Sequence, residues 1–547
     1  MTHKSTTLFI LALLSCILRA GVVLGSRHTD VPPPTHLDRA DLRFAFGSCS
    51  RHDKPQSVWS AVRAVAPDAF VWLGDIIYAD GKVNGTRTYA GNDAHRAAFE
   101  TQLAHPEYAA LTRETKIFGT WDDHDFGFNN AGAEWEHKPF AKQAFLDFLG
   151  EPADSPRRLR AGVYAHHTFR NLGRDGNRSA RLVLLDTRFH QRAEKGELLG
   201  EDQWRWLERA LIPASRRRGG SARSEASDAT DDDDDDDDGA SAADEDVDRT
   251  SREPAIESEA DDGDVDVVII GSSIQVHAET QKLVDGIFKG VESWNEFPNE
   301  KKRLMDLVER SRARVVFLSG DVHHAEIITS PARCALPYEL VEITSSGMTH
   351  GILDEVPRKH GLRAFARLLV PPLLPRWLWP DVGGLQRARF IERNWGEVAI
   401  DFGDERAEDA PDAAGAERAS PSPAVPDAEG RARGSLAGSV VLNIRGDDGR
   451  VKISKRVPLS ALEGTWAEVD AAAARGELER GAAEGRMRAA CRTEKDLTRL
   501  ELLRLPALAA VCLVGQPVVV ALCVWQLLKS TSRTLRTKGK ASKRKAA

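Results

Sequence analysis

The chain has 547 residues and a formal net charge of −8, and this length suits one large domain with appendages or two domains. The run from Asp231 to Asp238 supplies eight negative charges, so the rest of the chain is close to neutral. A protein that binds nucleic acid should present a basic face. We therefore exclude nucleic acid as a binding partner.

The N-terminal segment has the pattern of a signal peptide. Lys4 precedes an apolar stretch over residues 7–18, and small residues follow it. The apolar stretch is too short to cross a bilayer comfortably. We expect a signal peptide over residues 1–25, with an N-terminal membrane anchor as the alternative.

A folded domain is predicted over residues 31–460. Its first half alternates short apolar, β-prone runs with segments that carry the helical spacing of apolar residues. The predicted strands are 42–46, 70–73, 117–120 and 182–185, and the predicted helices are 57–65 and 140–149.

An acidic insertion interrupts this domain. Residues 213–264 are rich in Ser, Ala and Asp, and such a composition buries too little apolar surface to fold, so we expect disorder there. Folding resumes with a strand over 265–270. The remaining predicted parts of the domain are a helix at 301–311, a strand at 315–318, a linker over 405–436 and a closing hairpin over 440–457.

The C-terminal part predicts a membrane anchor. Residues 463–504 are charged and helix-prone and read as a stalk. Residues 505–528 are uncharged and long enough to cross a bilayer, and residues 529–547 form a basic tail that should stay in the cytosol. We expect a single-pass membrane protein of the secretory pathway or cell surface whose bulk is lumenal or extracellular. A buried helix of a soluble domain is the alternative for 505–528.

The cysteines and sequons bear on the same compartment. Three of the six cysteines lie in the two apolar segments, which leaves Cys49, Cys334 and Cys491. An odd number in an oxidising compartment implies that at least one has another role. A disulfide between Cys334 and Cys491 is one pairing that the sequence leaves open. The sequons at Asn84 and Asn177 predict glycosylation.

Four short polar segments carry the chemistry of this chain. They are residues 47–49, 74–78, 121–125 and 319–324, and the last three directly follow apolar, β-prone runs. Ligands of open α/β sheets collect at the carboxyl ends of the strands. Side chains that are far apart in sequence can therefore meet at one edge, and their mixture of hard oxygen and nitrogen donors suits a site with several metal ions.

The chemistry of the side chains explains why they are candidate metal ligands. Asp75 can bridge two cations because a carboxylate has two oxygens. Tyr78 and Cys49 offer a phenolate and a thiolate, which suit a strongly acidic ion such as ferric iron. His124 can contact a metal or a substrate. The other candidate ligands are Asp122, Asp123, Asp321 and His323.

Any one of these segments alone is more often a turn, a solvated loop or a buried small side chain. Their combination favours a metal site, and a two-metal site hydrolyses phosphate esters by a metal-activated hydroxide without a Ser or Cys nucleophile.

These residues resemble the PhoD-like (alkaline phosphatase D) family of the metallophosphatase, or calcineurin-like phosphoesterase, superfamily. The resemblance covers about residues 42–402. It implies a four-layer α/β/β/α sandwich with metals at the sheet edge, and hydrolysis of phosphate monoesters or diesters. The matching segments are 46–50, 73–80, 121–125, 185–188, 271–276, 292–294, 318–323 and 344–350.

The resemblance also implies roles for single residues. The second metal position is calcium in the better-known relatives, and His124 would stabilise the leaving group or the transition state. Asn129 or Asn130 would contact phosphate or metal. The implied iron (Fe3+) ligands are Cys49, Asp75, Tyr78 and His323, and the implied ligands of the second, divalent ion are Asp75, Asp123 and Asp321, with Asp122 as an additional one.

Two further positions stand apart from that pattern. Asp125 lies where many relatives carry Glu. Arg188 follows a strand end, and its planar fork matches phosphate oxygens. A structural salt bridge is an equally good interpretation of Arg188.

The leading hypothesis is a membrane-anchored, metal-dependent phosphatase or phosphodiesterase that acts on phosphate esters and faces away from the cytosol. A phospholipase-like phosphodiesterase is the first alternative, with residues 368–379 as a membrane contact. A non-catalytic surface protein that retains the fold is the second. The Asp run lacks the spaced ligands of a dedicated calcium loop, so we expect weak binding there at most.

Overall fold

The computed structural model describes residues 40–83, 86–213, 255–258, 263–277, 292–330, 336–351, 354, 386–403, 425–426, 432–433 and 437–464. Several predictions lie outside these residues: the signal peptide, most of the acidic insertion and of the linker, residues 368–379, the stalk beyond residue 464, the apolar segment 505–528, the basic tail, Asn84, Cys334 and Cys491. The domain boundaries stay a prediction.

The described residues form seven α-helices and eighteen strands. The helices are α1 (Val58–Ala64), α2 (Asn92–Leu103), α3 (Pro106–Glu114), α4 (Asp123–Phe126), α5 (Lys138–Phe148), α6 (Glu201–Leu211) and α7 (Pro298–Ser311). The strands are β1 (Leu42–Gly47), β2 (Ala69–Leu73), β3 (Asp80–Val83), β4 (Thr86–Tyr89), β5 (Lys116–Thr120), β6 (Ala165–Leu172), β7 (Arg178–Leu184), β8 (Ala255–Ser258), β9 (Val267–Gly271), β10 (Arg314–Ser319), β11 (Ala325–Ser330), β12 (Leu340–Ser345), β13 (Gln386–Phe390), β14 (Asn394–Asp401), β15 (Val425–Pro426), β16 (Ala432–Arg433), β17 (Ser439–Gly446) and β18 (Val451–Pro458).

Two large sheets organise the fold. The first has the order β18-β17-β14-β1-β2-β5, and β1, β2 and β5 are parallel neighbours. The second has the order β13-β11-β12-β10-β9-β7-β6-β8, with a parallel centre from β12 to β7. The edge strand β8 pairs with β6 and lies within the segment 213–264 for which the sequence predicts disorder.

Alternating side chains of the buried strands explain how the layers pack. On β2, Val71 and Leu73 join a cluster shared by both sheets, whereas Phe70 and Trp72 join the cluster formed with α1, α2, α3 and α5. This is the two-residue period of a strand that is covered on both faces. The outer face of the second sheet packs in the same way, through residues such as Phe317, against α6 and α7. Full burial of one such side chain stabilises the fold by about 1.5–3 kcal/mol.

The predicted fold class and localisation need correction. The prediction joined a sandwich to a stalk and a single transmembrane helix, but the structure is a mixed α/β fold with two sheets. Among the residues that it describes, no helix combines the length and apolarity that a membrane crossing needs. This finding contradicts the predicted single-pass membrane protein of the secretory pathway or cell surface, and that prediction is wrong. It rested on the apolarity and flanking charge of residues 505–528, which lie outside the described residues.

Candidate metal centre

The polar segments meet where the carboxyl ends of the two sheets come together. Cys49 follows β1, Asp75 follows β2, and Asp321 follows β10 of the other sheet. The loops are tied to each other, because the backbone N–H of Ser50 donates to the carbonyl of Asp75 at 2.8 Å. A Cβ atom built on Gly320 would lie 2.5 Å from Oγ of Ser48. The two sheets therefore place their candidate ligands on one site.

Unusual backbone conformations cluster at this site. Cys49, Asp75, Asp321 and His323 have φ of 57°, 53°, 70° and 55°. A non-glycine residue in this left-handed region costs about 1–2 kcal/mol and persists only where the surroundings impose it. Gly74 has φ of 91°, and a Cβ there would lie 2.3 Å from Cβ of Asp122. The loops are therefore held in a shape that brings side chains inward.

Asp75 is the common member of the candidate metal-binding groups. Its Oδ2 accepts the hydroxyl hydrogen of Tyr78 at 2.8 Å and lies 3.4 Å from Sγ of Cys49. Within each group the donor atoms lie within 4.8 Å of one another. The three groups are Cys49, Asp75 and His323; Asp75, Asp123 and His124; and Asp75, Asp122 and Asp321.

The charges of these carboxylates call for a cation. Burial, followed by the negative charge of neighbouring groups, raises the pKa of Asp75 and Asp321 well above the usual range. Burial also raises the pKa of Asp122, to about 6, although the positive charge of Arg188 opposes it. The buried oxygens Oδ2 of Asp122 and Oδ1 of Asp123 accept no hydrogen bond from the described residues. A buried carboxylate without a partner is strongly unfavourable. These residues therefore fit metal ions, which would supply the missing positive charge.

The thiol of Cys49 and the phenol of Tyr78 also fit a metal site. Burial, and then the charge of Asp321, raises the pKa of Cys49 to about 12. Burial, and then the charge of Asp75, also raises the pKa of Tyr78. Neither group would ionise here without a cation, but a bound metal deprotonates a coordinating thiol outright.

Asp123 differs from its neighbours. Burial acts to raise its pKa, but the positive charges of His124 and Arg188 and a hydrogen bond from the backbone N–H of Asn130 outweigh burial, so the pKa is lowered. That hydrogen bond is 2.6 Å long and ends on Oδ2. Asn129 is exposed and donates its side-chain amide to Oδ1 of Asn130 at 2.5 Å. The contact of Asn129 or Asn130 with phosphate or metal stays a prediction.

His124 is held between an aromatic ring and a carboxylate. Its ring centroid lies 4.1 Å from that of Tyr78, and Nδ1 lies 3.2 Å from Oδ1 of Asp80. A carboxylate in this position orients an imidazole. Sequence reasoning gave Asp80 no role, although Asp80 ends the segment 73–80 that carried the family resemblance.

Arg188 makes buried ion pairs. Its side chain is 0% exposed, Nε donates to Oδ1 of Asp122 at 2.5 Å, and Nη1 pairs with Glu292. Ser273 also donates to Oδ1 of Asp122, at 2.8 Å. These are the contacts of a structural salt bridge, the second of the two interpretations that the sequence left open.

Sequence reasoning singled out Asp125 but assigned it no role. Its Oδ1 accepts the backbone N–H groups of Ile76 and Ile77 at 2.8 and 3.0 Å, and its Oδ2 accepts that of Asp122 at 3.1 Å. Burial raises its pKa to about 7. The signal was present in the spacing, because an acceptor three residues after an N-cap Asp forms a capping box.

The predicted glycosylation of Asn177 remains untested. Asn177 is exposed, and its side-chain amide donates to Oδ2 of Asp175 at 3.1 Å. Its glycosylation stays a prediction. Cys49 is buried and is a free thiol.

Comparison with known proteins identifies the class. The family model described as PhoD-like phosphatase matches residues 44–370, which is more than half of the chain, so the chain belongs to that family. The resemblance found in the sequence is confirmed, and the chain is a phosphatase that hydrolyses phosphoric esters. A solved structure titled "Structure of PhoD" is similar over 76% of this chain and 72% of that chain, with 15% sequence identity and a TM-score of 0.39. No curated protein matches the chain.

Proposed function

We propose that this chain hydrolyses phosphate monoesters or diesters at a metal centre bridged by Asp75. The observation that carries the proposal is the membership of Asp75 in all three candidate metal-binding groups. Bound cations of this kind acidify water and neutralise the charge that develops on phosphoryl oxygens. Asp75 would hold two of them at once.

The donor set supports a division of labour between the ions. Cys49 and Tyr78 lie beside one oxygen of Asp75 and supply the thiolate and phenolate that suit iron. The purely carboxylate side suits a hard divalent ion such as calcium. We assign Cys49, Asp75, Tyr78 and His323 to iron, and Asp75, Asp122, Asp123 and Asp321 to the divalent ion.

His124 is the candidate proton donor. Hydrolysis forms a bond from phosphorus to the oxygen of water and breaks the bond to the leaving oxygen, which then needs a proton. An imidazole can supply it near neutral pH. Asp80 would act as a positioning residue, because its contact with Nδ1 orients the ring.

Activity of the full-length protein tests the proposal. The protein is stripped of metal and supplied with Fe3+ and Ca2+, and hydrolysis of an aryl phosphate monoester and an aryl phosphate diester is measured. Asp75→Asn removes the bridging charge at nearly unchanged volume. We expect turnover only with metal, and its loss in the variant. Metal-independent turnover, or an active Asp75→Asn protein, would overturn the proposal.

A further inference from the structure

Arg51 lies next to the metal centre and is partly exposed. It follows Cys49 by two residues, its side chain is 29% exposed, and its Cζ lies 5.2 Å from the ring centroid of Tyr78. His124 packs against the same ring. Tyr78 is therefore the common neighbour of His124 and Arg51, and a phosphate ester bound beside Tyr78 would lie within reach of both.

Two of the three guanidinium nitrogens of Arg51 have hydrogen-bond acceptors. Nε and Nη2 of Arg51 donate to the two carboxylate oxygens of Asp53, each at 3.0 Å, which is the paired geometry of a guanidinium and a carboxylate. The backbone N–H of Arg51 donates to Oγ1 of Thr349 at 2.8 Å. Among the described residues, Nη1 finds no acceptor. Asp53 thus orients the group and leaves a donor for another ligand.

Arg188 is not suited to bind the substrate phosphate. Its side chain is 0% exposed, and it neutralises the buried carboxylates of Asp122 and Glu292. A substrate phosphate would have to displace one of them. Arg51 is partly exposed, so it can donate to a phosphate oxygen without breaking its pair with Asp53.

We propose that Arg51 is a substrate-binding residue, whose Nη1 donates to a non-bridging phosphoryl oxygen and favours monoesters over diesters. The inference rests on the proposed function. A monoester phosphate carries close to two negative charges near neutral pH, and a diester carries one. A fixed cation beside the phosphoryl group therefore stabilises a bound monoester more than a bound diester. Charge-assisted hydrogen bonds are also the stronger ones.

Kinetics of the full-length, metal-loaded protein test this proposal. Arg51→Gln removes the charge, Arg51→Lys keeps the charge without the fork, and Arg63→Gln is a matched control because Arg63 also pairs with carboxylates at the surface. We expect Arg51→Gln to lower kcat/KM for the monoester about tenfold to a hundredfold, since hydrogen bonds to charged groups contribute at this level. The diester should lose at most about threefold. Arg51→Lys should fall between, and Arg63→Gln should match the wild type.

A structural role for Arg51 gives a different result. If the guanidinium only supports Tyr78, Arg51→Gln reduces bound iron and slows both esters equally, and that result overturns the proposal. An unchanged ratio of monoester to diester turnover overturns it as well. The Asp75→Asn variant distinguishes a failure of the proposed function from a failure of the inference about Arg51. If Asp75→Asn is active, the proposed function itself fails; if it is inactive and Arg51→Gln leaves the ratio unchanged, only the inference about Arg51 fails.

Discussion

Nε of Arg188 donates to Oδ1 of Asp122 at 2.5 Å, and both side chains are 0% exposed. One oxygen of Asp122 is thereby fixed, and the other, Oδ2, accepts no hydrogen bond from the described residues. The pair therefore orients the carboxylate and leaves one oxygen for the metal centre. Nearby, Oδ2 of Asp75 faces Tyr78 and Cys49, and its Oδ1 accepts the backbone N–H of His124 at 3.4 Å.

Removing the cation of this pair should destabilise the protein. Arg188→Ala leaves Asp122 and Glu292 as buried carboxylates without their partner. Breaking a buried ion pair in this way costs about 3–5 kcal/mol. Urea unfolding of the metal-free protein measures the change in the free energy of unfolding. The control Arg63→Ala breaks ion pairs at the surface and should change little. Wild-type stability of Arg188→Ala would contradict the structural role.

We expect position 74 to require glycine because Asp122 lies too close for a side chain there, and not only because of the positive φ of the backbone. Gly74→Ala places a Cβ 2.3 Å from Cβ of Asp122, so Asp122 must move. We expect loss of the divalent ion and of activity. Gly150→Ala is the matched control, because Gly150 also has a positive φ, of 72°, but has nothing within 4 Å of its added Cβ. Both variants carry about 1–2 kcal/mol of backbone strain, and similar activity in both would contradict the prediction.

Asp125 should support two loops at once. Asp125→Ala removes the acceptor of three backbone N–H groups, at Ile76, Ile77 and Asp122. Unsatisfied buried donors cost about 1–3 kcal/mol each. We expect a lower melting temperature together with weaker metal binding, measured by thermal unfolding and by metal titration. Asp125→Asn keeps one carbonyl acceptor and should lie between. A stability loss without any change in metal affinity would show that Asp125 does not position the ligands.

The metal-free protein should lose stability as the pH rises. The pKa of Asp122 is raised to about 6, against about 3.9 in an unfolded chain. A group with a raised folded-state pKa contributes stability that is fully present below about pH 4 and is lost as the pH rises through about 6. The raised pKa of Asp75 and of Asp321 acts in the same direction.

Metal should reverse this dependence, because the ion binds the deprotonated carboxylates and binding releases protons. Thermal unfolding at a series of pH values, with and without metal, measures both trends. Equal pH dependence in the two forms would contradict the assignment of these carboxylates as ligands.

The sequence predicted those parts of the site that depend on the local order of residues. An apolar run followed by Gly74 and Asp75 indicates a strand end and a candidate ligand, because strand patterns and turn residues act over a few positions. Contacts through space are different. The partners of Arg188 lie 66 and 104 positions away along the chain, so the sequence left its two interpretations open. The predicted membrane helix over residues 505–528 lies outside the described residues, and no helix among those described could span a membrane.

Metal content of the full-length protein tests the bridging role of Asp75 most directly. Iron and calcium are measured by mass spectrometry in the wild type, in Asp75→Asn and in Cys49→Ser, after each is loaded with both ions. The account predicts that Asp75→Asn loses both metals, whereas Cys49→Ser loses iron and keeps calcium. A folded Asp75→Asn protein that retains both ions at wild-type levels would contradict it.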